Sequence, residues 1–101
     1  LKAGSSVVVR GAGTSMEPTI SSGDRLKIVA PDVLSVGDIV LVQMRPDVFV
    51  AHRIIDITHT QAGTFITTKG DNLSQPDHPV PQDYVIGKVV AISHSSMCKR
   101  S

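Results

Sequence analysis

The stretch Val48-Phe49-Val50-Ala51-His52-Arg53-Ile54-Ile55-Asp56-Ile57 decides the fold class. β-Branched residues dominate it, and strand alternation sends Val48, Val50, His52 and Ile54 to one face. Shorter runs of the same kind occur at residues 6–10, 25–29, 38–44, 64–69 and 85–92, each bounded by turn residues. Six short strands in 101 residues predict an all-β, single-domain chain spanning 1–101, and only residues 17–21 or 81–84 offer as much as one helical turn.

Composition agrees with the periodicity. With 14 Val, 9 Ile and 7 Thr against 5 Leu, 6 Ala and one Glu, the chain favours strands over helices. Hydrophobic residues make up 41%, which excludes intrinsic disorder, and the core must be built without tryptophan. The formal net charge is +1 and the basic residues are scattered, so no nucleic-acid footprint is present. The longest apolar runs, such as residues 39–42 and 89–92, are far too short for a membrane helix. Leu1 is not an initiator, so the expectation is a soluble, processed or trimmed chain, which leaves a membrane segment or signal before Leu1 open.

Two Gly-Asp pairs, Gly23-Asp24 and Gly37-Asp38, each precede an apolar run and predict turns in which glycine takes positive φ and aspartate bonds nearby backbone. Residues 70–83 differ: fourteen residues without apolar periodicity is long for a small domain and marks a functional loop.

Ser15 lies between Gly13 and Pro18, on chain that can be neither regular helix nor central strand, so its hydroxyl is displayed on a turn. A serine hydroxyl becomes a nucleophile only beside a base. His52, flanked by aliphatic residues on its strand face, is the best candidate. His59 and His94 follow strand ends in polar surroundings, and His78 sits among prolines in the long loop. No metal site is expected, because the histidines lack ligand spacing and Cys98 has no companion; that lone tail thiol reads as incidental. Asp71 and Asp77 both lie on the loop, where either carboxylate could reach an imidazole and fix its tautomer.

Taken in order, Ser15-Met16-Glu17-Pro18-Thr19, then G-D-R-L-K-I, V-G-D-I-V-L-V, A-H-R-I-I, T-K-G-D-N with Asp77 beyond it, and I-G-K-V-V resemble the type I signal peptidase family. The likeness covers about residues 11–90. Most bacterial members place a lysine base before the Arg-Val/Ile pair. His52 stands there in this chain, so the resemblance is to the Ser-His branch of the endoplasmic reticulum, archaea and some Gram-positive bacteria.

That resemblance implies coiled antiparallel sheets of the fold shared with LexA-type self-cleaving proteins. It also implies a serine endopeptidase that cuts signal peptides from secretory precursors after small residues, with no cofactor and no metal. Ser15 would be the nucleophile, His52 the base, and Asp77, six residues beyond the G-D aspartate, the orienting carboxylate, while Asp71 holds the loop. Met16 and Pro18 would touch substrate, and the Ser15 backbone N–H would serve the oxyanion. Some relatives carry a second donor, a serine hydroxyl, two residues before the nucleophile; Gly13 occupies that place here. The family's domain works at a membrane surface through an anchor helix, on the extracytoplasmic or lumenal side, and neither anchor nor partner subunits can be read from this chain. The alternatives are a self-cleaving or dedicated processing peptidase of LexA-like fold, and a relative that binds peptides without cutting them.

Overall fold

The computed structural model describes residues 4–94, so Cys98 lies outside the described residues. Seven strands form the fold: β1 (Ser6–Arg10), β2 (Arg25–Val29), β3 (Ile39–Arg45), β4 (Val48–Thr60), β5 (Gly63–Lys69), β6 (Val80–Pro81) and β7 (Val85–Ser93). All neighbours are antiparallel, in the order β1-β2-β7-β3-β4-β5-β6. Among the described residues there is no α-helix; the turn expected near residue 81 is a 3-10 turn at Gln82–Tyr84, and residues 17–21 form irregular turns.

The described strands form one continuous antiparallel sheet. The reason is β7, which pairs with β2 through Ser93–Lys88 and with β3 through Lys88–Val85, joining the two halves along a single strand. A register shift between Lys27 and Ile28, and another between Leu41 and Val42, turn the sheet as it passes this strand. Two further differences matter. β4 runs to Thr60, three residues beyond the expected end, so His59 lies within the strand. The loop at residues 70–83 contains the short strand β6, paired to Phe65 and Ile66.

The sheet buries residues on both faces, giving two cores. Met16, Ile20, Leu26, Ile28 and Ile39 form one; Val40, Val42, Ile54, Ile66 and Val85 form the other. Neighbouring Ile39 and Val40 thus serve different cores, which explains why β3 reads as an unbroken apolar run instead of an alternating one. Each fully buried aliphatic side chain contributes roughly 1.5–3 kcal/mol. A register shift between Ile54 and Asp56 leaves Ile55 exposed and turns both Ile54 and Ile57 toward the second core.

The two Gly-Asp turns take the expected form. Gly23 and Gly37 have φ of 94° and 101°. Asp24 and Asp38 accept the N–H groups of Ser21 and Ser35 at 2.8 and 2.9 Å.

Candidate active site

Ser15 stands on the turn that follows β1. Gly13 enters this turn with φ 83°, and the amide of Ile20 bonds the carbonyl of Met16 at 2.9 Å to close it. Met16, 4% exposed, plugs the turn into the first core. Ser15 itself stays at the surface of that plug, half-buried, because its two neighbours face opposite ways: Thr14 outward and Met16 inward.

His52 projects from β4 opposite Val40 and shares the Ile54 face of the sheet, as alternation requires. It is 5% exposed. A buried imidazole needs partners for both nitrogens, and it has them. Nδ1 lies 2.6 Å from Asp77 Oδ2 and Nε2 lies 3.1 Å from Ser15 Oγ. An ionised carboxylate only accepts, so Nδ1 carries the proton and Nε2 accepts from the serine hydroxyl. The result is a hydrogen-bonded chain from Ser15 through His52 to Asp77, drawn from positions 37 and 25 residues apart.

Asp77 reaches the imidazole because the loop after β5 folds back on its own strand. Its N–H bonds the Thr68 carbonyl at 2.8 Å, and its Oδ2 also accepts from the Thr68 hydroxyl at 2.8 Å. The start of the loop is tied to the serine turn: Asn72 N–H donates to the Ser15 carbonyl at 2.8 Å and Asn72 Nδ2 to the Thr14 carbonyl at 3.0 Å. Gly70 permits this approach. A β-carbon there would lie 2.6 Å from the Ser15 carbonyl oxygen, 3.0 Å from Leu73 Cδ1 and 3.1 Å from His52 Nε2.

Asp71 is engaged elsewhere. Arg53, one residue beyond His52 and on the opposite face of β4, donates Nε to Oδ1 at 2.8 Å and Nη2 to Oδ2 at 2.7 Å; Thr19 adds its hydroxyl at 2.6 Å. The Arg53 hydrogen bonds hold the Asp71 carboxyl down at about 2, against the opposing effect of burial and with help from Thr19 and the charges of Arg53 and Lys69. Arg53 Nη1 also donates to the Gly37 carbonyl at 2.8 Å. This cluster therefore joins β4, the Ser15 turn and two loops.

A cleft of about 220 Å³ opens beside Ser15, walled by Gly11, Gly13, Met16, Leu41, Phe49 and Ala51 among others. Val9 and Arg10 of β1 and Phe49, Val50 and Ala51 of β4 are among its lining residues. Among the described residues β1 pairs only with β2, and Val48–Ala51 of β4 pair only with β3, because β5 joins β4 from Arg53 onward. Met16 thus contributes to the wall and to the core at once. Pro18 is exposed and stands outside the wall.

Two of the other histidines bond side chains away from this site. His59 Nδ1 meets Thr64 Oγ1 at 3.0 Å, His94 Nδ1 meets Asp24 Oδ2 at 2.8 Å, and His78 is exposed on the loop. Three residues that sequence reasoning gave no role sit against the site: Arg53, Asn72 and Thr68. Thr68 carried a readable signal, since it shares a strand face with buried Ile66, where a hydroxyl is out of place without a partner. The chain matches no protein-family model, and no curated protein or solved structure matches it at a significant level.

Proposed function

We propose that the protein is a serine endopeptidase of the signal peptidase type, in which Ser15 attacks and His52 serves as general base. One observation carries this reading: a buried histidine bonded through one nitrogen to a turn-displayed serine and through the other to a carboxylate.

In this reaction Ser15 Oγ attacks the scissile carbonyl carbon as its proton passes to His52 Nε2. Asp77 accepts from Nδ1–H, keeps the imidazole in the tautomer that leaves Nε2 open, and stabilises the imidazolium that forms. The tetrahedral intermediate collapses when His52 returns the proton to the leaving amine. Water, activated by the same imidazole, then releases the acyl chain from Ser15. The Ser15 backbone N–H is the oxyanion donor, since Gly13 supplies no side chain for that task.

The cleft supports an extended peptide as substrate. Among the described residues the outer edge of β1 and that of Val48–Ala51 in β4 have no strand partner, and both strands line the cleft, so both can offer main-chain donors and acceptors for strand addition. Short side chains next to the cut are what the resemblance to signal peptidases implies, in keeping with the Ala-x-Ala sites of secretory precursors. Precursor proteins presented at a membrane surface are the substrates this reading requires.

The test is cleavage of a peptide spanning an Ala-x-Ala site, with products identified by mass spectrometry. Cutting after the second alanine by the unaltered chain, and none by Ser15→Ala, is the expected result. Binding without cutting by both would make the protein a peptide-binding module, and release of fragments from the chain itself would make it a self-cleaving one.

A further inference from the structure

We infer that Thr68 is a positioning residue for the proposed base, holding the Asp77 carboxylate where it can accept from His52. This rests on the Ser15–His52–Asp77 reading and adds a fourth side chain to it.

The sheet register creates the need. Thr68 on β5 lies opposite Ile54 on β4, and His52 is two residues before Ile54 on the same face. Thr68 and His52 are therefore diagonal neighbours across two strands, too far apart to bond each other but close enough for one acceptor to bridge. Asp77 Oδ2 is that acceptor. It takes the Thr68 hydroxyl at 2.8 Å and His52 Nδ1 at 2.6 Å, so both donors converge on a single oxygen.

Loop anatomy explains why an anchor is required. Residues 72–76 are exposed, and Pro76 and Pro79 flank Asp77 and His78 with no N–H to offer. Asp77 is hydrogen-bonded to β5 through Thr68, by its amide to the Thr68 carbonyl and its carboxylate to the Thr68 hydroxyl. The first bond fixes the main chain. The second fixes the rotation of the carboxyl group, which the main chain alone leaves free. Valine would fill the same volume in a strand with the same backbone preference. At 3% exposure a threonine hydroxyl is unfavourable unless it is bonded, and Asp77 is its partner.

A purely structural threonine would affect folding and leave the turnover of folded enzyme alone. A positioning threonine changes kcat through Asp77. The experiment measures kcat and KM on a fluorogenic Ala-x-Ala peptide for the full chain carrying Thr68→Val, Thr68→Ser, Asp77→Asn, His52→Ala and the Thr68→Val/Asp77→Asn pair. Thermal melts verify folding, and Thr68→Ala replaces Thr68→Val if the latter does not fold. We expect Thr68→Val to lower kcat by about 10- to 100-fold at constant KM, the scale of a hydrogen bond to a charged group. Thr68→Ser should restore kcat to within about threefold, and Thr68→Val should change an Asp77→Asn enzyme by less than about twofold, because both substitutions break one linkage. Full kcat in Thr68→Val beside an inactive His52→Ala overturns the role of Thr68 alone. An equal loss in the Asp77→Asn background also overturns it. Normal cleavage by His52→Ala overturns the underlying reading and this proposal with it.

Discussion

Arg53 grips Asp71 by both carboxylate oxygens, at 2.8 and 2.7 Å, from the face of β4 opposite the one that carries His52. One strand thereby serves two tasks at adjacent positions: an imidazole is delivered to Ser15, and a guanidinium secures the loop that supplies Asp77.

The pair sets an acid limit on stability. The Asp71 carboxyl is held at about 2 in the folded protein, chiefly by Arg53, against about 3.9 for an unfolded aspartate. A depressed folded value stabilises above the unfolded one, so this contribution is complete above about pH 4 and is lost as pH falls toward 2. Asp71→Asn should lower stability near neutrality by about 1 kcal/mol, the scale of a partly exposed ion pair. It should also flatten the fall in stability between about pH 4 and 2, measured by urea unfolding at a series of pH values. Unchanged acid sensitivity in Asp71→Asn would assign the transition to other carboxylates.

Gly70 lets its loop pack closely against both Ser15 and His52. Its missing β-carbon leaves space that would otherwise bring an atom to 2.6 Å from the Ser15 carbonyl oxygen. Gly70→Ala must push the serine turn or the loop aside, costing about 1–3 kcal/mol of stability as other overpacking changes do. Because His52 Nε2 is also within 3.1 Å of that position, turnover should drop more steeply than stability implies. Parallel melts and peptide-cleavage rates check this; Gly70→Ala with native stability and turnover would contradict the close packing.

The base should declare itself in the pH profile. A histidine accepts a proton only when neutral, and so does a lysine, whose ordinary amine titrates near 10.4. Activity should rise with pH and be level by about pH 9, where an ordinary lysine would still be largely protonated. His52→Lys should be inactive, since the new amine would have to lose its proton at this site. A rate still climbing near about pH 10 would point to Lys69 or another amine as the base.

Asp77→Asn tests the carboxylate. An amide in that place can present its NH2 to Nδ1 and reverse the tautomer; in the worked serine-protease case the equivalent change lowers kcat by about 10⁴. The same order of loss is expected here, with melting temperature nearly unchanged. If Asp77→Asn cleaves normally while Asp71→Asn is folded and inactive, the two aspartates have exchanged roles.

Strand positions were legible in the sequence wherever one face is buried, because alternation in β4 and β5 follows directly from the pleat. Alternation also placed His52 on the Ile54 face. It could not show that β7 joins both halves into one sheet, since pairing between Val85–Ser93 and two distant strands leaves no local pattern. The Ile55 bulge was equally hidden: Ile54 and Ile55 are both apolar, and only the partner strand decides which turns outward. In the site, Ser15 and the two aspartates could be named as residues able to do chemistry, yet their own surroundings in the sequence left Asp71 and Asp77 open, and only the spacing within the resembled family pointed to Asp77. Arg53 distinguishes them in space, because its guanidinium occupies Asp71 and leaves Asp77 to the imidazole.

In the proposed reaction Ser15 and His52 act as one unit. The most direct measurement is the turnover of an Ala-x-Ala peptide by Ser15→Ala, His52→Ala and the double variant, each shown by thermal melting to be folded. Each single change should abolish cleavage, and the double variant should be no worse than either, because removing one partner already disables the other. Near-normal turnover by His52→Ala would show that His52 is not the base.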